Sequence, residues 1–204
     1  MIMPDTLQQP HIYTRKLTPE LWPAVEALFG ARGACGGCWC QAWRIERGER
    51  WKAVQGDVAK ERLHAGVLDG SVHAILAFDE KTPVGWCTFG PRKSFPRLDR
   101  APSLRCDDAE RVWSIPCFFV ARGYRGRGVA TAMLAHALRA MAARGAEIAE
   151  GYPSKPGKDG RYIAAFSWTG TRSLFEKAGF SVAGNPDGGK QRVRKILRSP
   201  AERG

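Results

Sequence analysis

The stretch Cys117 to Arg144, CFFVARGYRGRGVATAMLAHALRAMAAR, carries an apolar strand straight into a turn rich in glycine and arginine and then into a long helix. Phe118, Phe119 and Val120 are strand formers, and Gly123, Gly126 and Gly128 allow a tight turn with close backbone approach. Val129, Met133, Leu134, Ala137, Leu138 and Met141 recur at helical spacing. A helix entered this way presents unpaired N–H groups and a partial positive charge at its first turn, which favours a phosphate or pyrophosphate there. Arg122, Arg125 and Arg127 add fixed positive charge to the same turn.

Spacing separates the glycine-loop motifs that compete for this segment. A dinucleotide fingerprint requires G-x-G-x-x-G, but Thr131 stands where the third glycine belongs, and a P-loop requires Gly-Lys-Ser/Thr, which is missing. Arg125-Gly126-Arg127-Gly128-Val129-Ala130 matches Q/R-x-x-G-x-G/A and so resembles the pyrophosphate-binding motif of the GNAT superfamily of N-acetyltransferases. Downstream, Ser173-Leu174-Phe175-Glu176-Lys177-Ala178-Gly179-Phe180 resembles the helix-to-strand segment that closes many of these enzymes. The two segments together cover roughly Arg111 to Val182.

The chain has 204 residues, of which 44% are hydrophobic, enough for one well-formed core, and no linker divides it, so residues 1–204 are expected to form one domain. With no leader-like apolar run near the start and no membrane-length apolar segment, a cytoplasmic, soluble protein is expected. Six cysteines without a secretion signal point to thiols or metal ligands rather than a disulfide framework. The net charge of +12 raises nucleic acid as a partner, but the basic residues are scattered and no aromatic-basic motif accompanies them, so direct nucleic-acid binding is not favoured. A homodimer is compatible with the chain.

Strands are expected at His11 to Leu17, Ser71 to Phe78, Val84 to Phe89, Arg111 to Val120 and Glu147 to Tyr152, with further strands around Phe180 and Arg192 to Leu197. Helices are expected from Pro19 to about Phe29, with Thr18 as N-cap, across Trp43 to Val67 with Gly48 and Gly56 dividing the tract, from Val129 to about Arg144 and from Thr171 to Lys177. This order predicts an α/β (α+β) architecture, a mixed and mostly antiparallel sheet flanked by helices, as in the GNAT fold.

The resemblance implies acetyl-CoA as co-substrate, held by Arg125 to Ala130, with the pantetheine arm lying along Cys117 to Val120 where this strand splays from the next. Pro116 lacks an N–H and is consistent with a bulge or splay at that point. Phe175 takes the place of the tyrosine that many members use as the acid, which puts a tyrosine-acid mechanism in doubt and leaves Ser173, Tyr152 or water as proton donors. Glu150, on the same strand face as Tyr152, is the leading base. A covalent acetyl carrier at Cys117 is the less favoured route.

The tract Cys35-Gly36-Gly37-Cys38-Trp39-Cys40 offers a C-x-x-C-x-C array, but without a second C-x-x-C zinc is not favoured. Its preferred role is acceptor recognition, with Trp39 and Trp43 as flat apolar surface and Tyr162 and Trp168 contributing from a lid-like loop at 153–170. The acceptor is a small-molecule or peptide amine. A thiol- or zinc-dependent sensor on the same scaffold is the alternative. His136 is expected as a surface or packing histidine, His64 and His73 have no triad-like neighbours, and a hydrolase reading fails for want of a nucleophile elbow.

Overall fold

The computed structural model of the chain describes residues 11–155, 168–184 and 191–197. Its sheet has seven strands: β1 (Ile12–Lys16), β2 (His73–Asp79), β3 (Thr82–Pro91), β4 (Val112–Val120), β5 (Ile148–Gly151), β6 (Ser181–Ala183) and β7 (Arg192–Ile196). They lie in the order β1-β2-β3-β4-β5-β7-β6, and every neighbouring pair is antiparallel except β4 with β5. The helices are α1 (Trp22–Phe29), α2 (Trp51–Val54), α3 (Asp57–Leu68), α4 (Val129–Ala142) and α5 (Arg172–Lys177). Among the described residues, no helix is long and apolar enough to cross a membrane.

Apolar layers cover both faces of the sheet, so β2 reads as a continuous hydrophobic run in place of an alternating one. Ala74, Leu76 and Phe78 join the layer beneath α1 and α3, while Ile75 and Ala77 join the layer beneath α4. The expected elements occur in the expected order, with two adjustments. The first helix begins as a 3-10 turn at Pro19–Leu21, and Thr18 makes no side-chain cap bond to it. The tract expected to be helical from Trp43 is irregular until Trp51, and Gly56, at φ 81°, divides α2 from α3 as expected.

Pro116 governs the middle of the sheet. Thr88 pairs with Cys117 and Gly90 with Ser114, so Ile115 and Pro116 together face the single residue Phe89. The extra residue is a β-bulge that exchanges the faces of the strand beyond it. Ser114 and, past the bulge, Cys117 point toward the α1 side, whereas Ile115 and then Phe118 point toward α4. Pairing of β4 with β5 ends at Ile115↔Gly151, immediately before the proline. The parallel strands therefore part at Pro116.

Candidate active site

Immediately after β4 the chain turns through Arg122–Tyr124 and enters α4 at Val129, with Gly128 as its N-cap in the left-handed region at φ 79°. Gly126 has φ 75°, and at both glycines the space where a Cβ would stand is open. No side chain caps α4, so its first N–H groups face outward from an exposed turn. The Tyr124 hydroxyl donates to Asp79 Oδ2 at 3.0 Å and ties the turn to β2, while Arg125 Nε donates to the Val120 carbonyl at 3.1 Å. Open backbone, an uncapped helix N-terminus and arginines at 122, 125 and 127 fit a pyrophosphate group.

At the gap between β4 and β5, N–H groups alternate in direction along β4. Ala121 N–H donates to Val84 of β3, and Phe118 N–H points the other way, donating at 2.6 Å to the Trp168 carbonyl. Cys117 and Phe119 consequently direct their N–H groups toward β3. Of the three residues in the expected Cys117 to Phe119 donor group, Phe118 is the one that faces the gap. Phe175 is fully buried, edge-on to Phe118, and a Cβ on Gly151 would stand 2.3 Å from its ring. The ring thus packs on β5 because residue 151 has no side chain.

On the α1 face of β4 lies a cavity of about 310 Å³, within the usual size range of ligand pockets. Trp43, Trp51, Phe119 and Trp168 form its aromatic walls, and Phe118, whose ring points to the other face, borders it. Cys35, Cys38, Cys40 and Cys117 add sulfur, and Arg97 adds its charge. The Cys40 thiol donates to Cys117 Sγ at 3.4 Å across the join between the cysteine tract and β4. This tract reaches β4 through strained backbone, since Ala34, Trp39 and Cys40 all have positive φ. Burial, then the neighbouring Cys40, pushes the Cys38 thiol up to about 12. Burial raises Cys40 well above the ordinary thiol range, and at Cys117 the hydrogen bond from Cys40 is outweighed by burial among neighbouring thiols, giving a net upward shift.

Several expected site residues lie elsewhere. Glu150 is fully buried, with Arg194 Nε at 2.6 Å and Arg192 Nη1 and Arg92 Nε at 3.4 Å. The Tyr152 hydroxyl donates to Glu150 Oε1 at 2.7 Å and sits 2.6 Å from Ser114 Oγ. Burial first, and then the Glu150 charge, pushes the Tyr152 phenol well above its ordinary value. Glu150, expected as the base, thus has its oxygens engaged by three arginines and Tyr152, and it does not line the cavity. Ser173 is exposed and bonded to Thr171, and neither it nor Tyr152 lines the cavity. Trp39 is buried against Trp22 and Phe29, and what little it exposes borders a separate cleft of about 610 Å³ beside Glu26 and Lys60. It therefore does not line the cavity beside β4. Trp43 and Trp168 do meet at the cavity, with ring centroids 5.5 Å apart. Tyr162 and residues 156–167 of the lid-like loop lie outside the described residues.

Among the described residues, no group of three or more histidines, cysteines or acids is placed to hold a metal ion. Three arginines went unnoticed in the sequence. Arg97 sits in a loop that reads only as polar, and its position at the cavity has no local signal. Arg192 and Arg194 alternate on β7 and so share a face opposite β5, a period-two signal that could have been paired with Glu150.

Comparison with solved structures places the fold. An N-acetyltransferase from Staphylococcus aureus Mu50 superimposes with a TM-score of 0.54 at 14% identity, over 92% of this chain and 99% of its own. The yncA protein of Salmonella typhimurium, solved with acetyl-CoA, gives 0.53 at 12% identity over 93% and 96%. The paia N-acetyltransferase of Thermoplasma acidophilum, in complex with coenzyme A, gives 0.53 at 16% over 91% and 98%. A search of curated protein sequences finds no significant match. The sequence profile of the acetyltransferase (GNAT) family matches residues 38–152, more than half of the chain. The chain belongs to the GNAT acetyltransferase family.

Proposed function

We propose that this protein is an acetyl-CoA-dependent N-acetyltransferase that passes the acetyl group directly to a primary amine held in the cavity beside β4. The observation that carries this reading is the alignment of the uncapped α4 N-terminus, the β4 gap that opens at Pro116 and the cavity along one strand. Bound acetyl-CoA supplies an activated thioester. Arg122, Arg125, Arg127 and the first turn of α4 hold its phosphates, and the Phe118 N–H orients the chain lying in the gap. Trp43 and Trp168 position the acceptor so that its nitrogen meets the acetyl carbon with little loss of orientation at the moment of reaction. A C–N bond forms and the C–S bond breaks, while the amine loses one proton and the thiolate gains one through water. Cys117 is not the carrier, because a thiol kept protonated by burial is a weak nucleophile. The same argument disfavours a thiolate sensor at Cys40 and Cys117.

Calorimetric titration with acetyl-CoA tests the proposal on the parent chain and on Gly128→Val. The variant is expected to bind at least tenfold more weakly, because a branched side chain is strained at φ 79° and covers the helix entrance. Unchanged affinity in a folded variant would overturn the assignment of the turn.

A further inference from the structure

We infer that the acceptor is a flat aryl amine of low basicity that carries a carboxylate, and that Arg97 selects the carboxylate. This rests on the proposed transfer reaction and adds the acceptor's chemical class to it.

The shape argument comes first. The aromatic side chains of Trp43, Trp51, Phe119 and Trp168 wall a cavity of only about 310 Å³, which suits one planar ring system better than a peptide or a polar sugar. Trp43 and Trp168 stand at opposite sides of the join between the cysteine tract and the segment after β5, with a tilted 46° contact between their rings.

Charge supplies the second argument. Arg97 is the one ionisable cation lining the cavity, and no aspartate or glutamate lines it among the described residues. The loop before β4 pins Arg97 to the wall: its Nη1 donates to the Ala42 carbonyl at 3.1 Å and its backbone N–H to the Trp43 carbonyl at 3.3 Å. A guanidinium has five N–H donors, so this leaves others to meet a ligand carboxylate. Arg44, half-buried with its guanidinium over the ring of Phe95 and close enough to Cys40 for their charges to interact, has a buried Nη2 without a hydrogen bond among the described residues. The thiols do not offset these charges, since burial keeps Cys38, Cys40 and Cys117 protonated at neutral pH.

The third argument concerns the amine. An alkyl ammonium entering this cavity would lose its water, meet positive charge and find no carboxylate among the described lining residues to pair with it. An amine as basic as lysine, with a pKa of about 10.4, is neutral in roughly one molecule in 2,500 at pH 7. An aryl amine is already neutral, so it needs no base to free its lone pair before attack, and the one proton it sheds on acylation passes to the departing thiolate through water.

Three probes separate these arguments: 4-aminobenzoate, aniline, which lacks the carboxylate, and 4-(aminomethyl)benzoate, which keeps the carboxylate but is strongly basic. Each is titrated calorimetrically into the protein saturated with coenzyme A, and also into the free protein. At pH 7, 4-aminobenzoate is expected to bind at least tenfold more tightly than either comparator. Arg97→Gln should erase its advantage over aniline, Arg97→Lys should restore part of it, and 4-(aminomethyl)benzoate should tighten as the pH rises from 7 to 9. Equal affinity for aniline overturns carboxylate recognition, and equal affinity for 4-(aminomethyl)benzoate at pH 7 overturns the demand for a neutral amine. If coenzyme A binds and none of the probes does, the acceptor class is wrong while the transferase reading stands. If coenzyme A fails to bind, the transferase reading falls, and the probes in free protein still decide what the cavity takes.

Discussion

Replacing Glu150 with glutamine removes one negative charge from a buried cluster without changing its shape. Arg92, at 1% exposure, ion-pairs with Glu150 and Asp99, and Arg194 bridges Glu150 to Asp108. Breaking a buried pair by deleting one partner costs about 3–5 kcal/mol. In a chain of this size each kcal/mol lowers the melting temperature by about 2–4 °C, so the expected fall is roughly 6–20 °C. Glutamine can still accept from Arg194 and Tyr152, and Asp99 and Asp108 remain, which places the result in the lower half of that range. Pairing the change with Arg92→Met should recover much of the loss, because Arg92 then no longer sits buried with one counter-charge fewer. Calorimetric melting and a pH profile of kcat/KM on the same samples supply the assay. A melting temperature within 2 °C of the parent would refute the structural role. A hundredfold fall in kcat with an unchanged melting temperature would restore Glu150 as the general base.

The cysteines give a chemical prediction: iodoacetamide at pH 8 should label exposed Cys35 in the folded protein, while Cys38, Cys40, Cys87 and Cys117 react only after unfolding. Peptide mapping that finds Cys117 labelled as fast as Cys35 would revive a covalent route. The hydrogen bond and charge of Arg194 hold the Asp108 carboxyl below its ordinary value. That contribution to stability is complete above the unfolded pKa of about 3.9 and is lost as the pH falls through the depressed native value. Melting curves of the parent and Asp108→Asn should therefore differ most near neutral pH and converge in strong acid, and parallel acid limbs would contradict the pairing. Gly151→Ala should cost about 1–3 kcal/mol, because its methyl meets the Phe175 ring, and Phe175→Leu should relieve part of that cost. Strict additivity in the four-member cycle would show that the two residues do not touch.

The features legible in the sequence are those whose physics is local. Gly126 and Gly128 occupy left-handed backbone that few other residues accept, and Pro116 cannot donate to a ladder, so both announced their conformation without knowledge of the fold. The β2–β3 hairpin was equally local. The arginines around Glu150 were illegible for the opposite reason: they come from the loop after β3 and from β7, which become its neighbours only through the sheet order. Trp39 misled because a run of positive-φ residues turns it away from Trp43, toward Gly33, where a Cβ would stand 2.3 Å from its indole nitrogen. Arg97 belongs to a loop whose path across the cavity depends on hydrogen bonds to residues more than fifty positions away.

The hydrogen bond from Phe118 to the Trp168 carbonyl has a thermodynamic consequence for the proposed donor complex. A pantetheine amide arriving at this amide would exchange one carbonyl partner for another, so the bond count at the gap stays constant. The arm's polar contacts should then contribute little binding enthalpy, leaving the heat of association to the phosphate end. Titration calorimetry of 3′,5′-ADP against the full coenzyme should give nearly equal enthalpies, and the coenzyme's added affinity should appear as entropy released with the displaced chain segment.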